Sequence, residues 1–85
     1  MKQNGYYLEN HNDKPIFKVV GRVASGLILL ERLQGQFDDR FDFYSDESFY
    51  ALIVLGGYNL VYYDDIYKSY QPTKEIDWFL RNELK

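Results

Sequence analysis

The sequence has no cysteine, which excludes disulfide bonds and zinc sites built on thiolates. Its single histidine, His11, is too little for a metal site that needs several imidazoles. The longest apolar run, Phe49 to Leu55, is too short to cross a bilayer, and no apolar stretch of a signal peptide follows the polar first residues. From these absences we expect a soluble, cytoplasmic protein that does not contact membranes.

Proline is also scarce, with two residues, and no linker, repeat or low-complexity tract interrupts the chain. A length of 85 residues predicts one domain over residues 1–85. A chain of this size buries roughly 60–65% of its unfolded surface, which leaves little room for a deep, dry active site. The core must therefore come from side-chain packing, and nine tyrosines and six phenylalanines supply much of its volume.

Aromatic and β-branched runs alternate with turn residues along most of the chain, a pattern typical of an antiparallel sheet. The first two runs flank the turn-forming residues 10–13 and predict a hairpin. Residues 64–72 are polar and predict a connection without regular structure. The predicted strands are residues 5–9, 15–23, 27–33, 38–45, 49–55 and 58–63.

The strands predicted at 27–33 and 49–55 each compete with a helix. In the first segment, a preceding serine and a following glycine would also cap two helical turns, but alternating leucines favour a strand. In the second, Ser45 would cap a helix and Gly56 would end it. Its β-branched residues and the Gly-Gly pair after it favour instead a tight hairpin with residues 58–63.

Residues 73–84 carry the clearest helical pattern, with Thr73 as N-cap and acidic residues near the positive end of the helix dipole. One apolar stripe consists of Ile76, Phe79, Leu80 and Leu84. We therefore predict an α+β fold, in which an antiparallel sheet of five or six short strands packs against one C-terminal helix. The sheet is expected to curl into a roll or an SH3-like partial barrel.

Acidic residues are concentrated in one part of the chain: residues 36–65 contain seven acids and one base, whereas the whole chain has a net charge of −3. If Phe41 and Phe43 face the core of a strand, the polar residues between and around them point to solvent. Such a surface disfavours binding to a phosphate backbone and suits a basic protein partner. The expected partner-binding residues are Asp38, Asp39, Asp42, Tyr44, Asp46, Glu47, Asp64 and Asp65.

Sites for catalysis or metal binding are not predicted. His11 stands among turn formers without a nucleophile or carboxylate at a suitable spacing, and we expect it to be an exposed turn residue. The acidic stretch lacks the glycine of a calcium loop, and Phe41 and Phe43 occupy ligand positions. Asp64 and Asp65 are typical of a polar turn, and the glycines form no phosphate-binding loop. We expect no enzyme activity, no cofactor and no metal.

The resulting hypothesis is a non-enzymatic protein-binding module that docks its acidic and tyrosine-bearing face on a basic, nucleic-acid-binding protein. The chain is similar in size and charge to small inhibitors encoded by phages and mobile elements, anti-CRISPR proteins among them. That resemblance implies a viral inhibitor that imitates nucleic acid. Two alternatives are a small β-barrel that binds single-stranded nucleic acid through exposed tyrosines, and a homo-oligomer joined through a hairpin of residues 49–63.

Overall fold

A computed structural model describes residues 5–10, 15–34, 40–73 and 75–84. Within these residues, six strands form one antiparallel sheet in the order β4-β3-β2-β1-β5-β6, and helix α1 follows β4. A short helix, α2, continues directly into a π-helical turn, and we call these two together the C-terminal helical segment. The elements are β1 (Tyr6–Glu9), β2 (Pro15–Arg22), β3 (Ile28–Arg32), β4 (Phe41–Tyr44), α1 (Asp46–Val54), β5 (Asn59–Asp64), β6 (Ser69–Pro72), α2 (Ile76–Trp78) and the π-helical turn Phe79–Glu83.

The α+β prediction is confirmed, as are the strands expected at 5–9, 15–23, 27–33 and 58–63. The register places Leu8 of β1 opposite Phe17 on one side and Leu60 on the other. β1 therefore lies in the interior of the sheet, where its ladders join the first three strands to the last two. The turn around His11 lies outside the described residues.

The core lies on one face of the sheet, under both helical segments. Phe49 of α1 and Phe79 of the C-terminal helical segment are fully buried, and their rings stack 6.1 Å apart. Tyr6 packs its ring edge-on against Phe79, with 4.5 Å between ring centroids. The buried residues in contact with one another are Leu8, Phe17, Val19, Ile28, Leu30, Phe49, Leu60, Phe79 and Leu84.

The strand and hairpin expected from residues 49–55 are wrong, because this segment belongs to α1. The Ser45 hydroxyl accepts a hydrogen bond from the Ser48 amide at 3.1 Å, which caps the helix, and two acids occupy the first turn. Gly56 follows the helix at a point where a Cβ atom would lie 2.7 Å from the Leu52 carbonyl oxygen. Capping and one-sided burial of Phe49 outweigh the strand preference of the β-branched residues.

The C-terminal helix is shorter than predicted, and Thr73 does not cap it. The Thr73 amide instead donates to the Leu60 carbonyl at 2.8 Å and prolongs the pairing of β5 with β6. The polar connection expected at 64–72 therefore contains a strand, β6. The predicted apolar stripe is confirmed, since Phe79 and Leu84 are buried and Ile76 and Leu80 pack against the core.

We expect Phe79→Ala to lower the free energy of unfolding by about 3–5 kcal/mol, because it removes a fully buried ring from the contact between the two helical segments. Urea denaturation followed by circular dichroism measures this loss. Trp78→Ala is the matched control, since Trp78 precedes Phe79 and is 48% exposed. Its cost should be about 1 kcal/mol or less. Equal losses in the two variants would contradict the packing described.

Candidate functional site

The alternation of β4 is opposite to the one predicted. Phe41 and Phe43 are 50% and 59% exposed, so the prediction that they face the core is wrong. The register places Asp42 opposite the buried Leu30, on the face that the helices cover. Phe43 lies opposite Leu29, on the other face. The acidic side chain of this strand therefore points towards the margin of the core.

Asp42 is accommodated there by an ion pair. Its carboxylate accepts a hydrogen bond from Arg32 at 2.8 Å, and about a third of each side chain is exposed. The Arg32 guanidinium also lies 5.7 Å from the centre of the Phe17 ring. The hydrogen bond to Asp42 raises the pKa of Arg32 above its usual value. Asp42 is thus neutralised within the chain.

Asp46 is also paired, with Arg22 at 2.6 Å. The same guanidinium donates to the Leu84 carbonyl at 2.8 Å, to the Leu80 carbonyl at 3.3 Å and to the Gly26 carbonyl at 2.7 Å. Arg22 therefore joins the first turn of α1, the turn after β2 and the end of the chain. The carboxylate of Asp46 serves this junction.

The remaining predicted site residues that the structure describes lie in different parts of the fold. Asp38 and Asp39 lie outside the described residues. Glu47 is exposed in the first turn of α1, and burial raises the pKa of the half-buried Tyr44. Asp64 is the last residue of β5 and Asp65 follows it, and β5 is four strand spacings, or about 19 Å, from β4. Among the described acids of the predicted row, Asp42 and Asp46 are each paired with an arginine, and Asp64 and Asp65 lie far from them in the sheet.

In the part of the chain that the structure describes, no helix lies on one face of the sheet, and we call this the open face. Strand registers place on it residues that alternate with the core positions. Its two ends are aromatic, and Lys18 lies opposite Glu31 between them. The side chains on the open face include Tyr7, Lys18, Leu29, Glu31, Phe41, Phe43, Tyr63 and Tyr70.

One sequence feature indicates this face, although sequence reasoning did not use it. Tyr6-Tyr7 and Tyr62-Tyr63 are doublets within strands. Because successive strand residues point to opposite faces, one tyrosine of each doublet must point away from the core. Tyr6 packs on Phe79 in the core, which leaves Tyr7 for the open face.

No family model, curated protein or solved structure matches this chain. Within residues 5–10, 15–34, 40–73 and 75–84, no group of three or more His, Cys, Asp or Glu side chains is placed to hold a metal ion. In the same ranges, no helix is long and apolar enough to span a bilayer. The case for a function therefore rests on the geometry of the surfaces.

Arg22→Lys should lower the free energy of unfolding by about 2 kcal/mol. The compact ammonium group of lysine cannot hydrogen-bond at once to the three carbonyls and the carboxylate that the guanidinium contacts. Asp46→Asn removes the exposed ion pair and one acid from the first turn of α1, and should cost about 1 kcal/mol or less. Arg81→Lys, at an exposed position on the same helical segment, is the control. Urea denaturation compares the three variants. A loss for Arg22→Lys no greater than that for Arg81→Lys would show that the junction contributes nothing.

Proposed function

We propose that this chain is a non-enzymatic protein-binding module whose contact surface is formed by β4. The observation that carries the proposal is the exposure of Phe41 and Phe43, at 50% and 59%, side by side on the open face. Exposed aromatic side chains grouped with an apolar neighbour, here Leu29, are typical of protein interaction sites. Phenylalanine supplies apolar area at a low cost in side-chain entropy.

The backbone of β4 adds a second means of attachment. The Arg32 amide donates to the Arg40 carbonyl at 2.6 Å, so the hydrogen bonds to β3 come from Arg40 and every second residue after it. Phe41 and Phe43 lie between these positions, and their amide and carbonyl groups point away from β3. Because β4 is the last strand in the sheet order, these groups suit the addition of an extended partner strand.

The opposite edge of the sheet is less suited to such pairing. The Thr73 amide donates to the Leu60 carbonyl, so every second residue of β6, counted from Thr73, forms backbone hydrogen bonds with β5. Tyr70 and Pro72 lie between these positions, and their backbone groups point away from β5. Pro72 has no amide hydrogen and is a common means of blocking an edge strand. The β4 edge carries no proline among its strand residues. This contrast favours β4 as the binding edge.

The partner that fits this surface is a basic protein with an extended, partly apolar segment. Residues 36–65 hold seven acids and one base, which favours encounter with a positively charged surface. Direct imitation of nucleic acid has less support, since Asp42 and Asp46 are paired with arginines of the same chain. A cytoplasmic setting and an SH3-like curl of the sheet remain part of the proposal, as expected from the sequence.

The test compares proteins captured from extracts of the native host by the wild-type chain, by Phe41→Ser/Phe43→Ser and by Ile66→Ser. Ile66 is 86% exposed in the turn after β5 and is the matched apolar control. We expect at least one protein to be retained by the wild type and the control at similar levels, and lost with the double variant. Equal retention by all three would contradict binding through β4.

Phe43→Pro then tests strand addition. Phe43→Pro is compared with Phe43→Ala, because both lack the exposed ring and only proline also lacks the outward amide; the β3 ladder stays intact, since the Phe43 amide makes no bond to β3. Circular dichroism confirms that both variants are folded. Phe43→Pro should bind at least about tenfold more weakly than Phe43→Ala, the equivalent of one lost hydrogen bond in a binding strand. If sedimentation shows the wild type to be a dimer and the double variant a monomer, the occupant is a second copy and the proposed partner protein is wrong.

A further inference from the structure

Beyond its acidic first turn, helix α1 is apolar on its outer side as well as on its inner side. On the inner side, Phe49 is fully buried, and Leu52 and Ile53 pack against the core. The outer side holds Tyr50 and, one turn later, Val54, which are 42% and 57% exposed. A surface helix normally directs polar residues outward, and a helix that is apolar all round is typical of a buried position. The composition of α1 therefore indicates a helix that is covered on both sides.

Two neighbours extend the outer side of α1 into a larger apolar patch. Leu55, the residue after the helix, is 84% exposed, and Trp78 of α2 is 48% exposed. Tyr50 and Trp78 line the same depression of about 400 Å³, so both helical segments contribute to one surface. We call Tyr50, Val54, Leu55 and Trp78 the helical patch.

The helical patch is large enough to form an interface. With about 150–250 Å² for each fully exposed side chain, the exposed fractions amount to roughly 400 Å² of apolar area. The largest apolar patch on a monomeric protein usually measures about 300–600 Å² and is often functional. One side of a standard interface buries about 800 Å², of which a little more than half is apolar. The helical patch therefore supplies most of the apolar area that such an interface needs.

We propose that the helical patch binds the same patch of a second copy of this chain, so that two α1 helices pack antiparallel about a twofold axis. Residues 48–63 contain no charged side chain, so the part of the patch on α1 is neutral. A twofold contact brings identical surfaces together, and a neutral surface meets its own copy without repulsion. A strongly charged partner, in contrast, finds no counter-charge on this part of the patch.

The acids around the helical patch favour the antiparallel arrangement. Asp46 and Glu47 lie in the first turn of α1, and a parallel pair would place them against the same acids of the other copy. An antiparallel pair places them at opposite ends of a nine-residue helix, about 13 Å apart, which exceeds the screening length of about 8 Å in physiological salt. Glu75 and Asp77 border the depression and belong to the polar rim, where charges remain hydrated.

The antiparallel arrangement also matches large side chains with small ones. With the twofold axis between Tyr50 and Val54, Tyr50 of each copy lies against Val54 of the other. Ala51 lies near the axis, where a small side chain suits the distance of about 8–10 Å between packed helices. The patch is thus complementary to itself in shape as well as in charge.

This inference does not rest on the proposed protein-binding function. Phe41 and Phe43 lie on the open face, whereas α1 packs over the opposite face of the sheet. A chain that is paired through α1 therefore keeps its β4 edge accessible, and the failure of either proposal leaves the other standing.

The first test is sedimentation equilibrium of the full chain. We expect a dimer at about 100 µM that dissociates on dilution to about 1 µM, in keeping with an interface of modest area. Val54→Ser/Leu55→Ser should weaken the dimer at least about tenfold. Ile66→Ser/Tyr67→Ser is the matched control, since it removes two apolar side chains that are 86% and 73% exposed in the turn after β5. A wild type that is monomeric at about 100 µM would overturn the inference.

Two further measurements locate the contact. Trp78 is the only tryptophan of the chain, and its fluorescence should shift to shorter wavelength as the dimer forms, because the contact removes water from the ring. Circular dichroism confirms that the variants are folded. A dimer that persists in Val54→Ser/Leu55→Ser and is lost in Phe41→Ser/Phe43→Ser would place the contact at β4 and overturn the inference.

Introduced cysteines test the geometry, because the chain has none of its own. Ala51→Cys should form a disulfide-linked dimer on oxidation with copper phenanthroline, since this position lies near the twofold axis, and Ile66→Cys is the control. A mixture of Glu47→Cys and Leu55→Cys should react with a short bismaleimide to give more cross-linked dimer than either variant alone. Preferential cross-linking of each variant with itself would indicate a parallel pair and overturn the proposed arrangement.

Discussion

The stacking of Phe49 on Phe79 is the contact on which the arrangement of this protein depends. The rings are 15° from parallel and fully buried, and they join a helix in the middle of the chain to the helical segment near its end. Neither segment is long enough to be stable alone in water. Because they meet over one side of the sheet, they supply the same hydrophobic core, and the described residues place no helix on the open face.

The open face combines two aromatic regions of different character. Phe41 and Phe43 offer apolar area on an edge strand that no other described strand covers, which suits the proposed protein segment. Tyr7, Tyr63 and Tyr70 pack edge to face at the other end. Lys18 and Glu31 separate the two regions with a pair of opposite charges. A protein bound at β4 as proposed would leave the tyrosines uncovered, unless it spans most of the sheet.

The sequence was sufficient to predict the strands whose alternation faces a large core, such as β2, and the stripe around Phe79. It failed at β4 because a four-residue strand with alternating Phe and polar residues has no internal signal for which side is buried. The orientation of β4 depends on Arg32, ten residues earlier, which pairs with Asp42 on the face that the helices cover. At α1, capping by Ser45 and one-sided burial outweighed local strand preference. The pairing of Asp42 and Asp46 had no local signal for a similar reason, since Arg32 and Arg22 are distant in the chain.

Pro72 at the end of β6 has a consequence for assembly. A sheet with two receptive edges can add strands without limit, which is the route to fibres. Here one outward position of β6 has no hydrogen to donate, whereas β4 remains receptive. If a strand adds at β4 as proposed, it uses the receptive edge and leaves only the less receptive one. We then expect one added strand per chain, in a one-to-one pair with a partner or a closed twofold dimer, and not a polymer.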